Sequence, residues 1–132
     1  MLFKEIFYLK GWEKMNKIVK QSMFSGMMVG IGVIVNVSVD NSYIGAMLFS
    51  LALLTIIACD LKLYTGKIGF VGQVSVKDLS TMFFGNLFGV YVAVFSVGLR
   101  KPELLDKIQN LSNIKFQQNF YGLFGMGVFA EF

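Results

Sequence analysis

The residues most able to do chemistry stand close together in the stretch CDLKLYTGKIGF, residues 59–70. Asp60, Lys62, Thr65 and Lys67 fall within one short segment that directly follows the apolar run YIGAMLFSLALLTIIA. Carboxylate, ammonium and hydroxyl groups at this spacing can hold or steer a charged solute. They do not make a nucleophile motif or a phosphate-cradling glycine loop, and Asp60 and Asp78 read more simply as helix-end charges. The chain contains no histidine, which removes the commonest general base and metal ligand. Its single cysteine, Cys59, excludes an intramolecular disulfide and a multi-cysteine zinc site. The residues therefore point away from an enzyme and call for no metal and no cofactor.

The elements that position this stretch are set by composition. Of 132 residues, 55% are hydrophobic and 15% charged, with a mean hydropathy of +0.65. So few charges cannot clothe a water-facing surface, and the bilayer is the natural solvent for much of the chain. The net charge of +4 arises from lysines beside apolar segments rather than from one cationic tract, so nucleic acid is not the expected partner. Three segments approach the length needed to cross about 30 Å of hydrocarbon at about 1.5 Å per residue: 22–39, 43–59 and 79–99. Residues 1–20 read as an amphipathic interfacial helix with Trp12 as a headgroup anchor. Residues 100–132 read as a polar connection followed by FYGLFGMGVFAEF, an incomplete fourth span. Five lysines precede the first span and Lys67 and Lys77 follow the second, which places the N-terminus in the cytoplasm of a multi-pass protein of the cell membrane. Arg100, Lys101, Lys107 and Lys115 oppose that bias and permit dual insertion.

Gly26 with Gly30, and Gly85 with Gly89, form two G-x-x-x-G pairs that clear strips for close helix packing. Asn86, inside the second pair, carries an amide that needs partners in apolar surroundings. For residues 59–70 two readings stand. Either the helix ends near Cys59 and a cytoplasmic loop follows with snorkelling lysines, or the helix breaks before crossing fully and the loop folds back to line a polar path.

The order of residues resembles the formate/nitrite transporters, pentameric channels for small monovalent anions. SGMMVGIG is similar to that family's glycine-rich first span, LFSLALLTIIACDLKLYTG to its broken second span, and FFGNLFG to the G-N-L-x-G of its third. The resemblance covers about residues 25–95. It implies an all-α integral membrane fold of three transmembrane helices with the second broken near 59–66, one half of an aquaporin-like inverted repeat. It implies an outer constriction at Phe49 and Leu53, an inner one at Leu63, Tyr64 and Thr65, and a structural or pore-adjacent Asn86. Lys62 stands where the family usually has an acid, and Ala52 where it has glycine. The family's central histidine belongs to its second repeat, so its absence fits a chain holding the first alone. The expected assembly is a homo-oligomer in the lipid bilayer, a pentamer by resemblance, with an antiparallel dimer as a second arrangement. The alternative function is a half-length membrane interaction protein that docks on a full-length transporter without conducting.

Overall fold

The structure is a computed structural model that describes residues 2–70, 72–117, 119 and 121–122, with only the backbone described for 2–9 and 115. Among the described residues five helices follow in order: α1 Leu2–Ser38, α2 Ser42–Ala58, α3 Thr65–Ile68, α4 Val76–Gly98 and α5 Pro102–Phe116. Among the described residues there is no strand. Two segments, Lys10–Ser38 and Val76–Gly98, are long and apolar enough to cross a membrane. At 17 residues, α2 rises only about 25 Å, short of the hydrocarbon thickness.

α1 is the central helix, with α4 along one side and α2 along another. The register follows from which glycine meets which neighbour. Gly85 lies on Ser22, Gly89 on Gly26 and Met27, and Gly30 on Ala93, so α1 and α4 run parallel with a constant offset. Gly32 lies on Phe49 and Ala52, and Gly45 on Asn36, so α2 runs antiparallel to α1. Both G-x-x-x-G pairs thus sit in one seam. An added Cβ at Gly89 would strike the Met23 carbonyl, and one at Gly26 the Asn86 carbonyl, so the two backbones are in direct contact. Small residues line the close contacts, with Ser22 and Ser25 fully buried and Ala52 and Ala93 nearly so, while Ile18, Ile34, Ile56, Leu79 and Met82 fill the rest of the interior. The outward faces are apolar. Met47, Ile57 and Phe84 are 70%, 76% and 66% exposed, a distribution compatible with helices whose outer solvent is lipid.

Residues 1–20 do not form a separate interfacial helix. α1 continues unbroken for 37 residues, because Gly11 is the only helix-weakening residue before the span and there is no proline. At about 55 Å it outruns the hydrocarbon core, and its lysine-bearing first half extends the axis of its apolar second half. The polar connection after the third span is also helical. Pro102 starts α5 at the position where its missing N–H costs nothing. Leu104 and Ile108, one turn apart, are half-buried while most of their neighbours are exposed, and Leu105 packs on Gly98 of α4. The incomplete fourth span falls almost wholly outside the described residues.

Asn41 caps α2, its Oδ1 accepting from the Tyr43 and Ile44 N–H groups at 3.0 and 3.3 Å. The other end closes on a reverse turn: Leu61 N–H donates to the Ile56 carbonyl at 2.9 Å and Asp60 N–H to that of Ile57 at 3.1 Å, the paired bonds of a Schellman motif. That motif needs a left-handed residue after the cap, and Asp60 supplies it with φ of +47°. Asp and Asn tolerate this region far better than branched residues. Asp60→Gly is therefore expected to unfold in detergent at or above the wild-type temperature, and Asp60→Val below it. A valine variant as stable as the glycine variant would mean that the turn does not hold the helix end.

Candidate functional site

After the turn Leu61–Leu63 run on without helix or turn, and Tyr64, a bend whose backbone is already helical, leads into the single turn of α3. Such irregular backbone has unpaired N–H and C=O groups, which need partners when covered. Asn86 provides them. Its Nδ2 donates to the Lys62 carbonyl at 3.0 Å and to the Ser22 carbonyl at 2.7 Å, and its Oδ1 accepts from the Tyr64 N–H at 2.7 Å. One amide from α4 therefore ties the irregular segment to α1. Gln21, on α1, adds a second tie by donating from Nε2 to the Asp60 carbonyl at 3.4 Å.

The sequence-derived site residues divide among three surfaces. Leu53, Leu63 and Thr65 line one open cleft of about 420 Å³, together with Asp60 and Lys67. Tyr64 is turned the other way, its ring edge-on to Phe83 of α4 at 5.2 Å between centroids. Phe49 rests on Gly32 and lines a different cleft with Ile108 and Leu111 of α5. A single protomer does not bring Phe49 and Tyr64 to the cleft that Leu53, Leu63 and Thr65 share. Leu63 and Tyr64 part at the bend where the backbone turns helical. Lys62 pairs with Asp60, its Nζ 3.0 Å from both carboxylate oxygens. Lys62 is the less exposed partner, at 21% against 81% for Asp60. Gly26, Gly30, Gly85 and Gly89 all lie in the α1–α4 seam and away from this cleft.

Gln21, bonded to the Asp60 carbonyl, and Ser22, bonded through Asn86, meet this stretch from α1, with Ser25 buried one turn further along the helix, and the sequence does not single them out. Ser22 spends its hydroxyl on the Val19 carbonyl at 2.9 Å, while Gln21 Oε1 and Ser25 Oγ are buried without a protein partner. Their signal was small polar residues one turn apart, at 21, 22 and 25, just where the first span begins. Among the described residues, no three metal-ligating side chains gather at one point. The arrangement offers a hydroxyl, two ammonium groups and a carboxylate around an apolar cleft.

The class this defines is an all-helical chain with two helices able to cross a membrane and a third, shorter apolar helix ending in an irregular, side-chain-clamped segment. No family model, no curated protein and no solved structure matches the chain.

Proposed function

We propose that the chain is a subunit of an oligomeric channel or transporter for small monovalent anions, of the formate, nitrite or hydrosulfide class, in the cell membrane. The observation that carries this reading is the Asn86 clamp on the irregular segment 61–64. A plain cytoplasmic loop has water for its backbone groups and needs no buried amide. Depth supports the same view. Asn86 stands five residues beyond Thr81, the last polar side chain before Met82, Phe83 and Phe84, or about 7 Å further along the helix axis. The break in the second span then lies inside the apolar layer, shielded by α1 and α4, as irregular backbone at membrane depth must be.

In this reading an anion gathers at Lys67 and the partly neutralised Lys62, passes the Thr65 hydroxyl, and crosses the apolar ring to which Leu53 and Leu63 contribute. Shedding hydration is the main barrier, and hydroxyl and backbone N–H groups replace part of the lost water. The cleft is open on one side, so neighbouring protomers complete the wall; the family resemblance favours five. Purified protein in liposomes should carry formate, nitrite or hydrosulfide, and Thr65→Trp should abolish that flux without preventing reconstitution. Wild-type protein that reconstitutes fully and passes none of the three anions would overturn the proposal.

A second reading, a non-conducting membrane protein that docks on a full-length transporter, is favoured by the absence of the histidine on which that family's conduction depends. Co-reconstitution that changes the partner's flux, with no flux from this chain alone, would select it.

A further inference from the structure

We infer that the groove between α1 and α4, on the flank away from the Thr65 cleft, binds an anionic phospholipid, with its headgroup at Lys77, Ser80 and Thr81 and an acyl chain along Met23, Phe84 and Phe88. This inference rests on the membrane placement proposed above and not on conduction. The groove has a volume of about 600 Å³, and Val19 and Met23 form its α1 wall. Its α4 wall changes character along the axis. Lys77, Ser80 and Thr81 come first, then Phe84 and Phe88. From Lys77 to Phe88 is eleven residues, about 16 Å of rise, which is about the depth of one leaflet's hydrocarbon.

Charge selects the headgroup. Asp78, the acid nearest in sequence to Lys77, is already engaged by Lys14 at 2.8 Å and is only 17% exposed. Lys14 approaches from the opposite flank of α1, so Lys77 keeps its charge unopposed. On α1 the parallel register sets Lys20 level with Phe83, about 9 Å beyond Lys77, and Glu13 level with Val76; among the described residues Lys77 makes no ion pair with Glu13 or any other acid. The polar end also carries the expected interfacial marker. Trp12 is 60% exposed and shares a helical face with Val19 and Met23, at intervals of seven and eleven residues. Apolar body, hydroxyls, an ammonium group without an ion-pair partner and an indole thus follow one another in the order that a phospholipid presents from chain to headgroup.

The test is native mass spectrometry of the full chain in detergent, titrated with phosphatidylglycerol or phosphatidylcholine. Preferential retention of phosphatidylglycerol is expected, with Lys77→Gln weakening it about fivefold. Lys101→Gln, which removes the same charge at the other end of the bundle, should leave it unchanged. A Phe84→Ala variant should lose affinity for both lipids, since it shortens the apolar wall. Equal binding of the two lipids, equal weakening by Lys101→Gln, displacement by millimolar inorganic phosphate, or a groove closed by a second copy would each overturn the inference. Flotation with phosphatidylcholine vesicles keeps the two claims apart. Protein that floats but shows no anionic preference fails this inference alone, and protein that does not float fails the membrane reading itself.

Discussion

Gly89→Ala is expected to destabilise the chain by about 3 kcal/mol, the upper end of what overpacking a tight contact costs. The added methyl would meet the Met23 carbonyl, the Met27 nitrogen at 2.7 Å and the Gly26 carbonyl carbon at 3.0 Å. All three are backbone atoms of α1, so no side chain can rotate away and the helices must separate. Separation weakens dispersion contacts along the whole seam, which is the main attraction between helices in lipid. Gly26→Ala should behave alike, since its neighbours are the backbone of Asn86. Gly30→Ala meets the Ala93 methyl at 2.7 Å, so the pair Gly30→Ala with Ala93→Gly should recover most of the loss. Gly11, with nothing within 4 Å, supplies the control: Gly11→Ala should stabilise by up to about 1 kcal/mol through helix propensity. Denaturant unfolding in mixed micelles reads the series, and a Gly89 variant no less stable than wild type would show that α1 and α4 do not pack as described.

The seam was legible in the sequence because the requirement is local and steric: four glycines at i, i+4 spacing can only mark a close approach or a weak helix. The end of α2 was legible too, since an acid, two lysines and two glycines after sixteen mostly apolar residues cannot continue a lipid-facing helix. Other features were not written locally. The continuity of α1 depends on nothing interrupting it between Lys17 and Met23, and an amphipathic lead-in followed by an apolar run reads equally well as two helices. The helicity of α5 was obscured by its polar composition, although Leu104 and Ile108 at i, i+4 carry the signal. The side to which Tyr64 turns is decided by Phe83, nineteen residues away, and by the bend at which the backbone turns helical. No short-range pattern encodes that choice. Asn86 shows both sides of the matter. Its need for partners followed from its surroundings, but which backbone groups it would serve depended on the parallel register of α1 and α4.

That register makes Asn86 the residue on which the site should depend most. Asn86→Ala would leave the Lys62 carbonyl and the Tyr64 N–H without partners and remove the side-chain donor to the Ser22 carbonyl, which lies within α1. Each buried group left unpaired costs about 1–3 kcal/mol, so a loss of roughly 3 kcal/mol or more is expected, unless the segment moves into water. The two responses separate by measurement. If the segment stays, global unfolding shifts; if it leaves, stability is partly kept but residues 61–64 become accessible. A Leu63→Cys reporter in a Cys59→Ser background should then react with a water-soluble maleimide at least about tenfold faster when Asn86 is alanine, following local opening worth about 1.4 kcal/mol. Asn86→Asp distinguishes hydrogen bonding from bulk: it fills the same space and still accepts from Tyr64, but turns an oxygen toward two carbonyls, so it should resemble alanine rather than wild type. Wild-type stability together with a wild-type labelling rate in Asn86→Ala would mean that the irregular segment holds itself. The clamp, and with it the case for a break inside the membrane, would then be gone.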